Sequence, residues 1–188
     1  MSEGSVQDSI PFRSPDLIET SGFIGNRKSP WRLKLILIAW LATLGVDFLW
    51  HGGILADIYN HPHPALLEPE QAFLRIPLGY GSLLIQVVFV YWLFTYIGVS
   101  DWKKGFRVGL MFGGILGIAS ILGQYSILTL ELGLLILWGI GQVFEFCAVG
   151  LILGAGSSVA SLKSIATKAS VFVIIAVFFT IVMQSVIH

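Results

Sequence analysis

Two acids and a histidine fall where the chain is otherwise apolar. Asp47 and His51 stand four residues apart in the string DFLWHGG, a spacing that puts both side chains on one face of a helix. Glu145 lies in GQVFEFC, one helical turn after Gln142. Gln86 and Gln124 place amides in two further apolar stretches, and Arg75 stands at the mouth of one of them. A carboxylate and an imidazole one turn apart can share a proton or hold an ion, and a histidine ordinarily titrates near neutrality. An ionisable side chain at membrane depth costs roughly 2.5–3.5 kcal/mol on insertion scales, which makes Asp47, His51 and Glu145 candidate functional groups. The same residues also admit a structural reading. Asp47, His51 and Arg75 could form a bonded set near the outer surface, with Glu145 tied to Gln142.

Other chemistry is sparse. The chain has no Gly-x-Ser-x-Gly turn, no phosphate-binding Gly-rich loop with its lysine and no HExxH pair, so no reaction motif identifies an enzyme. Cys147 is the single cysteine; it cannot close an intrachain disulfide, and its apolar neighbours keep a thiol inert. His61 and His63 with Asp57 are weak metal-ligand candidates, but the prolines around them fit a plain loop, and no structural zinc spacing occurs. No histidine has an axial partner at a spacing that indicates haem, and the sequence names no cofactor. Eleven basic and eleven acidic residues leave no positive excess for nucleic acid.

The elements that must position these groups follow from composition. Of 188 residues, 55% are hydrophobic and 12% charged, against about 25% charged in an ordinary soluble domain. A bilayer core about 30 Å thick needs roughly 20 apolar helical residues, and five stretches qualify: 33–55, 74–99, 106–130, 132–156 and 169–187. The expected fold class is all-α, an integral membrane helical bundle of five transmembrane helices. Residues 31–188 form its single transmembrane domain. Residues 1–30, rich in Ser, Gly, Pro and charge, read as a disordered cytoplasmic tail. Ten of the eleven basic residues fall on one side of such a bundle, with only Arg75 opposite. Lysine and arginine resist translocation, so the N-terminus is expected in the cytoplasm, the C-terminus outside and the protein in a cell membrane as a multi-pass species.

Between the first two spans, Leu66, Leu67 and Phe73 suggest a short interfacial helix begun at Pro64. Trp31, Tyr59, Tyr91, Trp92 and Trp102 read as interfacial aromatics. Very few residues separate spans three and four, which makes them an antiparallel hairpin. Gly105, Gly109, Gly113 and Gly117 recur every fourth residue in span three, and Gly150 and Gly154 repeat the spacing in span four. Lipid gives apolar helices no hydrophobic reward for associating, so such glycines serve close backbone packing between spans or between protomers. Sliding the chain by 98 residues lays Asp47 on Glu145, Trp40 on Trp138, Gly52 on Gly150 and Gln86 on Gln184, the pattern an inverted repeat would leave.

The string Asp47, Trp50, Gly52 and Tyr59, followed by the glycine-spaced third span, resembles small multi-span bacterial membrane proteins of unknown function, over roughly residues 35–155. A second acid-tryptophan signature is missing; Gln142 and Glu145 stand there instead. The resemblance implies a compact helical bundle and no particular activity. The leading expectation is therefore a membrane protein that binds or translocates a small solute, ion or proton, with Asp47, His51, Gln86, Gln124, Gln142 and Glu145 around the site and Arg75 near its mouth. A non-catalytic subunit or scaffold, joined as a homo-oligomer or larger complex through span three, is the alternative. A membrane enzyme acting on lipid or quinone is the third. Membrane lipid is the partner common to all of them.

Overall fold

The computed structural model describes residues 28–60, 65–159 and 161–187. The expected tail lies outside the described residues as far as residue 27, and so do His61 and His63. Among the described residues six α-helices follow in order: α1 Ser29–Asp47, α2 Ala56–Asn60, α3 Pro69–Ile97, α4 Trp102–Tyr125, α5 Leu132–Ser157 and α6 Lys163–Ile187. A π-helical segment, Phe48–Ile54, continues α1 without a break. Among the described residues five helices are long and apolar enough to cross a membrane, counting α1 with its π segment as one.

Local sequence sets the ends. Pro30 and Pro69 sit in the first turns of α1 and α3, where a missing N–H removes no helical bond. Gly98 ends α3 in the left-handed region, φ 65°, a conformation that strains any residue with a Cβ. Asp101 caps α4, its Oδ1 accepting from the backbone N–H groups of Lys103 at 2.9 Å and Lys104 at 3.0 Å. Those donors hold the Asp101 carboxyl below the usual carboxylate range, the Lys104 bond contributing most. The interfacial helix expected from Pro64 does not form over Leu66 and Leu67, which lie in turn and coil. Phe73 belongs to α3, and the short helix comes earlier, at Ala56–Asn60. The connection from α4 to α5 spans 126–131 and still makes the hairpin.

Helices α1 and α5 run antiparallel at the centre of the bundle; α3 packs against both, α6 packs along α1 and the π segment, and α4 packs chiefly on α5. Gly105 faces Gly150 and Gly154, Gly109 faces the backbone of Phe146, Gly113 faces Val143, and Gly117 faces Gly139. A Cβ at Gly105 or Gly109 would collide with the carbonyl oxygen of Gly150 or Phe146. The fourfold glycine spacing is thus the packing surface of one hairpin inside a single chain.

At the end where the basic residues gather, Leu35, Ala39, Val87, Phe94, Val149 and Leu153 close an apolar core that also takes in Tyr91. A smaller cluster, Leu130, Leu134 and Leu135, lies at the other end with Ile58 and Trp138 against it. Many of the largest apolar side chains face outward, among them Leu74, Ile85, Ile115, Ile174, Phe178 and Val186. A surface of that kind suits hydrocarbon rather than water.

Candidate functional site

The site begins with an irregularity in the first span. Past Asp47 the chain widens from α to π geometry, and the Leu55 N–H reaches back five residues to the Trp50 carbonyl at 2.9 Å. Such segments are rare and concentrate at functional sites. Their backbone groups need partners, because hydrocarbon supplies none. Helix α6 supplies them: Gln184 Nε2 donates to the Gly52 carbonyl at 2.7 Å, and the fully buried Thr180 hydroxyl donates, over a long 3.5 Å, to the Phe48 carbonyl. Thr180 and Gln184 stand one turn apart on α6 and so serve two carbonyls on the same side of the π segment.

Helix α5 fixes the other side. Gly141 leaves room for the Trp50 indole, whose Nε1–H donates to the Leu137 carbonyl at 3.0 Å and whose ring meets Phe144 edge-on with centroids 5.2 Å apart. One turn beyond Gly141, Glu145 points at the first span. Its carboxylate, the Asp47 carboxylate and the His51 imidazole each offer a ligand atom, and the three atoms lie within 4.8 Å of one another. His51 Nε2 and Asp47 Oδ1 are 4.0 Å apart. Glu145 is only 7% exposed, and among the described residues its carboxyl has no hydrogen-bond partner. Asp47 and His51 are more open, at 23% and 30% side-chain exposure, so the cluster is approached from their side.

The other imidazole nitrogen is anchored. His51 Nδ1 lies 2.7 Å from Tyr59 Oη, on α2, and Trp138 Nε1–H donates to the same oxygen at 2.7 Å. The phenol can then donate its own proton to Nδ1, or accept from an Nδ1–H with its remaining lone pair. Burial pushes the Tyr59 pKa up to about 12, so this oxygen carries its proton throughout the physiological range. Behind Glu145 lies a small cavity of about 10 Å³, lined by Thr43, Leu83, Gln86, Phe146 and Val149 as well as Glu145 itself. That is the lower limit for a single water, roughly 10–15 Å³. Beyond it the apolar core closes the bundle.

The structure therefore brings Asp47, His51 and Glu145 together, with Gln86 at the back of the same cavity. Asp47 and Glu145, the acids that the 98-residue offset superimposes, meet here. Gln142 is half-buried on α5 and makes no bond to Glu145. Gln124 donates to Ser120 Oγ at 2.6 Å on its own helix. Arg75 stands exposed near the start of α3 and forms no ion pair with Asp47 among the described residues. Asp57 is exposed on α2. Sequence reasoning missed the roles of Tyr59, Trp138, Trp50, Thr180 and Gln184. Tyr59, read as an interfacial aromatic, is the anchor of His51. The doubled glycine 52–53 after a polar pair, and a lone glutamine in the last span, were the available signals.

No known family model, curated protein or solved structure matches the chain. Function has to be read from the geometry.

Proposed function

We propose that this multi-pass membrane protein binds a small cation or a proton at the Asp47, His51 and Glu145 cluster, in the half of the bundle away from the basic end. One observation carries the reading: two carboxylates from different spans and an imidazole converge within 4.8 Å in surroundings poor in water. Like charges so placed repel unless a proton or cation lies among them. Ionisable groups at this depth cost more than leucine would. Binding is favoured over passage through the bundle, because the apolar core of Leu35, Val87, Phe94 and Leu153 stands across any route to the basic end.

The scaffold alternative drew its support from the glycine ladder, and α5 covers that surface within the chain. Lipid remains the natural partner of the exterior. A concavity of about 610 Å³ opens between α1 and α6 at the basic end, with Lys34 and Lys163 beside Trp31 and Leu37, a lining suited to a lipid headgroup above its acyl chain. The test of the site is cation and proton binding by purified protein carrying Glu145→Gln or Asp47→Asn. Loss of binding in both is expected. Unchanged binding in both removes the assignment.

A further inference from the structure

The donor set has a chemistry narrower than that of a generic cation site. Resting on the reading above, we infer that the occupant is a divalent first-row transition ion of the Zn²⁺ class, held by the His51 imidazole and the Asp47 and Glu145 carboxylates. An alkali or alkaline-earth ion takes an all-oxygen shell, whereas a neutral imidazole selects for zinc and its neighbours. The span geometry is close to what such an ion needs. Three atoms no more than 4.8 Å apart leave a point within about 2.8 Å of each, against zinc bonds of about 2.0–2.2 Å. A contraction of less than about 1 Å, within the reach of side-chain rotation, closes the site. Three protein ligands leave a fourth position for water or a bound group, the arrangement of open rather than structural zinc sites.

Two further features point to a ligand. Glu145 is nine-tenths buried, unpartnered among the described residues, and aimed at the other two donors. The imidazole is also oriented as a metal ligand is oriented. With an ion on Nε2, the ring proton must reside on Nδ1 and needs an acceptor. Tyr59 Oη stands there at 2.7 Å, already receiving Trp138 Nε1–H, with a second lone pair for His51. A carboxylate, carbonyl or hydroxyl in that position fixes the tautomer and the ring plane of metal-bound histidines generally.

The experiment is isothermal titration of the full chain in lipid nanodiscs with Zn²⁺, and in separate arms with Mn²⁺, Mg²⁺, Na⁺ and acid. One Zn²⁺ per chain is expected, bound at least about 100-fold more tightly than Mg²⁺ or Na⁺, with protons released on binding. Glu145→Gln and His51→Gln should each weaken Zn²⁺ by more than the roughly 10–100-fold that loss of an outer partner of a ligand brings. Co²⁺ should show the visible absorption of a low-coordinate nitrogen and oxygen site, absent in His51→Gln. Melting curves without metal establish that both variants are folded, and Asp47→Asn serves in place of either that is not. Zn²⁺ binding that survives both substitutions overturns the inference. If Zn²⁺ fails to bind while Na⁺ or protons bind in a Glu145-dependent manner, the transition-metal inference falls and the broader cation reading stands. If nothing binds, both fall.

Discussion

Helix α5 presents two faces that could hardly differ more. Toward α4 it offers Gly139, Val143, Phe146, Gly150 and Gly154, and the glycines of α4 close onto them backbone to backbone. Toward α1 it offers Gly141 and Glu145, and meets an indole, a carboxylate and an imidazole across a π-helical turn. The first face solves the problem every membrane bundle has, the lack of a hydrophobic reward for association, by bringing main chains within van der Waals reach. The second face works against the same problem. It keeps polar groups where lipid disfavours them and leaves a small cavity behind Glu145. One helix thus carries both the face that holds the hairpin together and the face proposed to hold a ligand.

Substitutions can break this contrast from either side. The largest effect is expected on the glycine face. Gly109→Leu places a side chain into the Phe146 carbonyl, so the hairpin has to open, and the loss should exceed the roughly 1–3 kcal/mol of ordinary overpacking. Gly114→Leu is the internal control: a Cβ at Gly114 meets nothing within 4 Å, and thermal unfolding in detergent should leave it close to wild type. On the other face, Gln184→Leu removes the donor to the Gly52 carbonyl and should cost about 1 kcal/mol, as interhelical bonds in membranes do. Amide hydrogen exchange at residues 52–55 should rise with it.

Tyr59→Phe sharpens the comparison further. It deletes the hydroxyl shared by His51 and Trp138 without altering the apolar packing of the ring. Ligand affinity should fall about 10-fold or more, and the ligand-free protein should lose about 1 kcal/mol, as the loss of such a hydrogen bond does. The smallest effect belongs to neither face. Asp101 caps α4, and its carboxyl is held below the usual range by the Lys104 and Lys103 N–H groups. A lowered folded pKa means that the cap stabilises fully above the ordinary carboxylate pKa and fades as pH falls through the lowered value. Asp101→Asn should abolish that acid dependence and keep the cap; Asp101→Ala should lose both, as read by helix content against pH.

What the sequence disclosed follows the same division. The spans are legible because apolar length and the positions of a few lysines and arginines are one-dimensional properties. The glycine spacing is legible as packing for the same reason, though which helix it meets is not. Asp47 and His51 announce themselves by a four-residue spacing. Glu145 joins them only through the register of α5 against α1, which the Trp50 indole seated on Gly141 sets and no local pattern displays. The π segment is illegible for a related reason. DFLWHGG reads as ordinary helix until Thr180 and Gln184, 132 residues downstream of Phe48 and Gly52, satisfy the displaced carbonyls. Gln124 shows the converse: at a plausible depth, it sits on a helix that packs chiefly on α5 and bonds its own Ser120.

The most direct measurement is the thermal stability of Glu145→Gln beside wild type, each with and without Zn²⁺ at about 100 times the wild-type Kd. If Glu145 is present for a ligand, the ligand-free variant is as stable as wild type or more so, and Zn²⁺ raises wild type by about 2.7 kcal/mol while leaving the variant unmoved. If instead the variant loses about 3 kcal/mol or more without ligand, as breaking a buried charged pair does, and wild type is indifferent to Zn²⁺, then Glu145 holds the bundle together and the division between the two faces of α5 is wrong.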